Sequence, residues 1–156
     1  MTSSWMFLGV QIELLTDSDA PVVVAEGVLP IGASPPLHVH ADLDDSFYLL
    51  DGRMVVRCGD DVFVATSGTW VQFPSQVPHT FRVLDGPARI LMVHANDSFI
   101  RAVRAIGRPA AAGDVPTTGA GPPIEELNRA FAAHGMTNVG PPMQHDEAED
   151  LLRALV

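Results

Sequence analysis

The stretch Gly32-Ala-Ser-Pro-Pro-Leu-His38-Val-His40-Ala-Asp-Leu-Asp44-Asp45-Ser-Phe47-Tyr-Leu-Leu-Asp51-Gly52 decides how this chain is read. The Pro35-Pro36 pair forces an extended approach, because the residue before a proline avoids the helical region. His38 and His40 therefore fall on a strand, where residues two apart point to the same side. Two imidazoles on one side can grip a single metal ion, and a carboxylate shortly downstream can add an oxygen ligand.

Outward from this stretch the chain reads as strands. Val10, Ile12 and Leu14 alternate with Gln11 and Glu13 within a strand from Phe7 to Leu15, and Val22 to Leu29 forms a second. Ser46 to Leu50 and Met54 to Cys58 flank Asp51-Gly52, a hairpin-type turn signal. Val62 to Ala65, Trp70 to Phe73, Thr80 to Leu84 and Arg89 to His94 follow, separated by Ser67-Gly68, Pro74 to Pro78 and Asp85-Gly86-Pro87. Many short strands with turn residues between them argue for an all-β sandwich or barrel.

The period changes after residue 95. Asn96-Asp97 can cap a helix carrying Phe99, Ala102, Val103 and Ile106 and ending at Gly107. Pro109 to Pro123 has no periodicity and reads as a linker or surface-hugging arm. Ile124 to His134 has the pattern of an amphipathic helix, and Glu147 to Leu155 that of a last helix capped by Asp146. The division expected is a barrel with a closing helix over 1–108 and, over 109–156, a linker and helical extension packing on the barrel or a neighbouring subunit.

Bulk properties narrow the partners. The 156 residues carry nine basic side chains, all arginine, against nineteen acids, so the formal charge is −10. Phosphate backbones and anionic lipid repel such a surface, and neither nucleic-acid nor membrane partners are expected. The single cysteine, Cys58, cannot form an intrachain disulfide, and the cytoplasm is the default compartment.

The spacing carries a resemblance. Gly32, five residues, His38, one, His40, four, Asp45, six, Gly52 resembles the first motif of the cupin superfamily, with Asp45 where the motif has glutamate. Gly68, five residues, Pro74, and then Gln76 in place of a glycine, two residues, His79 is similar to the second motif, with Val83 in place of its asparagine. The similarity extends over nearly the whole chain to small single-domain bacterial cupins of the quercetin dioxygenase-like type.

The resemblance implies a double-stranded β-helix, or jelly-roll barrel, with C-terminal α-helices. It also implies one divalent transition metal ion (Fe, Ni, Mn, Co, Cu or Zn, undistinguished) held by His38, His40, Asp45 and His79. Aspartate is one methylene shorter than glutamate. The site is therefore either four-ligand or a three-histidine centre with Asp45 as a nearby base. Asp42 and Asp44 read as solvated loop acids. Alternation from Asp45 and His79 selects Phe47, Leu49 and Phe81 for a substrate pocket. Met54, Trp70, Gln72 and Met92 join them, as does His94 unless it is a hydrogen-bonded core histidine.

The functional expectation is a metal-dependent oxidoreductase acting on a small organic substrate, aromatic or polyketide-like. Its most specific form is a dioxygenase in which the carboxylate deprotonates the substrate before dioxygen attack and ring or C–C cleavage. Two alternatives stay open: a redox-neutral cyclase, isomerase or dehydratase, and a non-catalytic binding module. A homodimer is expected.

Overall fold

The computed structural model describes residues 3–156. Its elements are β1 (Ser3–Phe7), β2 (Val10–Leu14), β3 (Val23–Leu29), β4 (Pro36–His40), β5 (Asp45–Cys58), β6 (Asp61–Thr66), β7 (Trp70–Phe73), β8 (His79–His94), α1 (Ser98–Ile106), β9 (Arg108–Pro109), α2 (Ile124–Ala132), β10 (Met136–Pro142) and α3 (His145–Ala154). Among the described residues the strands make one antiparallel, unclosed sheet in the order β10-β4-β8-β3-β2-β1-β9, with β5 joining β8 to β6 and β7. The all-β class with C-terminal helices is what the strand and turn pattern called for.

β5 and β8 are the spine, and both differ from expectation. The Asp51-Gly52 signal does not end a strand. Instead β5 runs through it, and β8 runs through Asp85-Gly86-Pro87, the two strands pairing along their length with register shifts between Leu49 and Met54. Gly52 has φ +97, and a Cβ there would lie 2.7 Å from the Asp85 carbonyl oxygen and 2.9 Å from Ala88 Cα. The glycine thus makes a bulge at a close backbone approach, which bends the paired strands around the core. Gly52→Ala is expected to destabilise the protein by more than about 1 kcal/mol, since neither the φ nor the space admits a side chain. Urea denaturation of the purified variant checks it.

The inner faces pack Phe47, Leu49, Met54, Val56, Phe73, Ile90 and Met92 with Ile100 and Val103 of α1 and Leu127 and Phe131 of α2. A second, smaller cluster forms outside the sheet, where Val55 meets Met143 and Ala148 at the start of α3. The helices therefore bury their apolar faces on their own chain.

Residues after 108 are also more than linker and helix. Met136–Pro142 lies beside β4, pairing Met136 with His40 and Asn138 with His38, while Arg108–Pro109 pairs with β1. The last helix begins at His145, two residues before the expected start. Its cap is Gln144 and not Asp146, and Glu147 Oε2 accepts from the Gln144 N–H at 3.4 Å.

Candidate metal centre

β4 delivers His38 and His40, and each of its edges is held. His38 pairs with His79 of β8 on one side and with Asn138 of β10 on the other. Upstream, the Thr80 hydroxyl donates to the Pro35 carbonyl at 2.8 Å, and the Met143 N–H donates to Ser34 Oγ at 2.9 Å. Gln76 N–H donates to the His40 carbonyl at 2.7 Å, tying the loop before His79 to β4. That loop passes through Gln76 at φ +65, a left-handed conformation that glycine adopts without cost.

The ring nitrogens have a clear division of labour. His38 Nδ1 lies 2.7 Å from the Pro36 carbonyl and His79 Nδ1 lies 2.9 Å from the Val77 carbonyl. A carbonyl only accepts, so each Nδ1 carries the proton and each Nε2 keeps its lone pair free. Phe73 stacks on His79 with ring centroids 4.1 Å apart and fixes its plane.

Asp45, the first residue of β5, reaches these imidazoles despite its short side chain. Its Oδ2 lies 3.4 Å from His79 Nε2 and 3.7 Å from His40 Nε2. Yet neither Nε2, both fully buried, has a hydrogen-bond partner. Buried polar atoms are normally satisfied, and two unsatisfied ring nitrogens beside one carboxylate oxygen suit a shared cation. Donor atoms of His38, His40, Asp45 and His79 all lie within 4.8 Å of one another. Bonds of about 2.1 Å to one ion at roughly right to tetrahedral angles separate donors by about 3.0–3.5 Å. The chemistry of the set and its orphaned nitrogens fit a divalent transition metal.

Electrostatics act in the same direction. Burial, then the neighbouring His79, pushes His38 down to about 4; burial, partly offset by Asp45, pushes His40 down to about 4 as well. Both imidazoles are thus neutral, metal-ready donors at physiological pH. Burial alone would raise the Asp45 carboxyl, but the His79 and His94 imidazoles beside it outweigh that and hold it well below the usual carboxylate range. His94 makes the aligned contact, its Nε2 donating to Asp45 Oδ1 at 2.8 Å.

A stability prediction follows for metal-free protein. Below about 6.5 the unfolded chain protonates these two histidines while the folded chain resists until about 4, so the unfolded state binds more protons in that window. Folding stability should fall as pH drops from 6.5 to 4, by up to about 3 kcal/mol per imidazole. Denaturant titrations of chelator-treated protein across that range measure it. Bound metal should flatten the upper part of the curve, because metal ligation keeps the rings unprotonated.

The cluster closes the inner end of a cavity of about 470 Å³, to which His38 and Asp45 contribute. Of the residues selected from sequence, Phe47, Phe81 and Met92 line it. Others do not. Trp70 is 49% exposed, and Gln72 is also on the outer face, where it donates to Asp44 Oδ2 at 3.1 Å. In the four-residue strand Trp-Val-Gln-Phe, Val71 and Phe73 take the inner side, so the parity is the reverse of that expected. Leu49 and Met54 are sealed in the core. His94 stands behind Asp45 and off the cavity wall.

Sequence reasoning missed much of the wall. Ile12 and Leu29 from β2 and β3 contribute, as does the irregular segment Thr118 to Pro122. That segment is anchored by Thr117 N–H donating to the Gly9 carbonyl at 2.9 Å, and by the paired Arg108 and Asp114. It had no periodic pattern to betray it.

Residues 25–94, which span every donor of this centre, match the family model of the cupin domain. This stretch is a cupin domain. Among curated proteins, it is 26% identical over 78 residues to quercetin 2,3-dioxygenase of Bacillus subtilis, covering 50% of this chain and 23% of that protein. It is 28% identical over 69 residues to an uncharacterized protein of Methanocaldococcus jannaschii, covering 44% of this chain and 55% of the other. The chain thus spans less than two thirds of either relative. Among solved structures, KdgF from Halomonas sp. superposes with TM-score 0.53 at 17% identity, over 58% of this chain and 84% of that one. At such identity the likeness speaks for the fold alone.

Proposed function

We propose that this cupin-domain protein is a metal-dependent enzyme acting on a small, largely apolar organic substrate, most specifically a dioxygenase. The observation that carries the reading is the pair of buried, unpartnered Nε2 atoms of His40 and His79 converging with His38 and Asp45 at the closed end of an apolar cavity. His38, His40, His79 and Asp45 would hold the ion. When bound, it supplies Lewis acidity and open positions for oxygen atoms of substrate and dioxygen.

The chain's own residues do the rest. Phe47, Phe81 and Met92 surround the substrate next to the centre and exclude water. In the three-histidine form of the centre Asp45 is instead the proton acceptor, and it acts through Oδ2 because His94 occupies Oδ1. A carboxylate held this firmly in its anionic form is a weak base, which suits an acidic enol or phenol rather than an alcohol. The Bacillus subtilis relative, matched over 23% of its length and named for its dioxygenase activity, supports the same reaction class.

For the assembly we propose a homodimer. Tyr48, Leu50 and Trp70 are exposed apolar side chains on neighbouring outer positions of β5 and β7 and offer a surface for it. No helix among the described residues is long and apolar enough to cross a membrane.

The test is elemental analysis of the purified protein followed by oxygen-electrode assays with a panel of phenolic and enolic substrates. Metal-dependent oxygen uptake with cleaved product is the expected result. Product without oxygen uptake selects redox-neutral cyclase, isomerase or dehydratase chemistry, and full turnover after metal stripping overturns the metal-dependent reading. Stable binding of unchanged ligand marks a non-catalytic module.

A further inference from the structure

Arg82 is an anomaly in this chain. Arg53, Arg57, Arg89, Arg101, Arg108 and Arg153 each pair with a carboxylate. Arg104 lies over the Trp5 ring, and Arg129 is out in solvent. Arg82 is half-buried, and among the described residues it has no carboxylate partner despite the formal charge of −10. Its Nη1 donates to the Met143 carbonyl at 3.0 Å. A guanidinium has five N–H donors, so most of its capacity is unspent.

The position of that capacity is informative. Arg82 lines the same cavity as His38 and Asp45, together with Gly32, Gln144 and the Thr118 to Pro122 segment. Gly119, Ala120 and Gln144 are exposed, whereas His38 and Phe47 are buried, so Arg82 marks the outer end and the histidines the inner end. Its guanidinium rests against bare Gly32, where a Cβ would approach Nη2 to 3.2 Å. On β8 it alternates with the inward Phe81, so its stem starts beside Val55 on the outer face and its guanidinium reaches the rim of the cavity at Gly32.

We infer that Arg82 is a specificity residue that recognises a carboxylate on the outer end of the substrate, while the opposite end faces the metal-ligating cluster. The cavity then takes an apolar carboxylate that reaches from its rim to its inner end. A phosphate is a poorer fit. With one cation and few further donors at the mouth of a strongly acidic protein, a dianion would be left partly unpaired, whereas a carboxylate matches a single fork of two N–H groups. This inference rests on reading the cavity as the substrate site. It does not depend on the reaction performed there.

The experiment uses metal-free protein at pH 7.5, so that carboxylate ligation of a metal cannot contribute. Calorimetry compares biphenyl-4-carboxylate with its neutral isostere biphenyl-4-carboxamide. The carboxylate is expected to bind at least about tenfold more tightly, the value of one charge-assisted contact. Arg82→Gln should bring the acid down to the amide's affinity while leaving amide binding and the metal content of the holoprotein unchanged, and Arg82→Lys should restore part of the preference. Equal affinities in the wild type overturn the assignment without need of any variant, as does a preference that survives in Arg82→Gln. Since no turnover is measured, failure of the catalytic reading leaves this result standing. Loss of acid preference alone leaves the catalytic reading standing.

Discussion

Replacing His79 with alanine should leave a folded protein that no longer retains metal or turns over. The imidazole is 1% exposed, stacks on Phe73, and sends Nε2 to within 3.4 Å of Asp45 Oδ2. Removing an outer partner of a ligand typically costs about 10–100-fold in metal affinity, and removing a donor itself should cost more. For the metal-free fold two effects oppose each other. Losing the ring forfeits contact with Phe73, but it also removes a buried, unpartnered nitrogen and a neighbour that disfavours His38 protonation. The change in metal-free stability should therefore be small beside the change in metal-dependent stability. Metal at a hundred times its dissociation constant raises wild-type stability by about 2.7 kcal/mol, a gain the variant should lack. Metal-to-protein ratio after dialysis and the melting shift on adding back Zn(II) or Ni(II) are the measurements. A variant that keeps stoichiometric metal would remove His79 from the centre.

What the sequence could and could not disclose has physical causes. Strand parity and turn residues are local, so the β class was readable before any fold was known. Asp51-Gly52 was not, because a glycine at positive φ serves a hairpin turn and a bulge equally, and only the remote pairing of β5 with β8 chooses between them. The strand Met136–Pro142 was hidden by its Gly-Pro-Pro ending. Proline is tolerated there because β10 lies at the edge of the sheet, where a missing N–H leaves no ladder bond unmade.

The site divides in the same way. His38, His40, Asp45 and His79 came from the spacing of two motifs, and the fold gathers their donor atoms from β4, β5 and β8. The pocket was harder to read, because it depends on which face of each short strand turns inward and on a wall segment with no periodicity. Alternation puts Trp70 and Gln72 on one face of their strand without saying which face turns inward, and it is Val71 and Phe73 that pack inside. The partner of His94 was also invisible: Asp45 lies 49 positions away, and nothing local in Met-Val-His announces a hydrogen bond across the sheet.

That hydrogen bond makes His94→Phe the second large effect expected. Phenylalanine is close in shape to the imidazole and can keep the edge contact with Phe99, whose centroid lies 5.7 Å away, while the donor to Asp45 Oδ1 is lost. Without it one carboxylate oxygen loses its partner, and Asp45 is free to rotate away from the geometry that presents Oδ2 to His40 and His79. Metal affinity should drop by about 10–100-fold, and metal-free stability at pH 7 by about 1–3 kcal/mol. The sign with pH is definite. Asp45 is held well below its ordinary value, so its contribution is present above the unfolded carboxyl's range and lost as pH falls through the folded one. Removing His94 raises the folded value, and acid destabilisation should begin at higher pH than in the wild type. His94→Gln, whose amide can still donate, should recover much of the metal affinity. In the double variant with Asp45→Asn, the His94 change should cost little more than Asp45→Asn alone, since the two residues act as one unit. Additive losses would mean that His94 acts on the fold and not through Asp45.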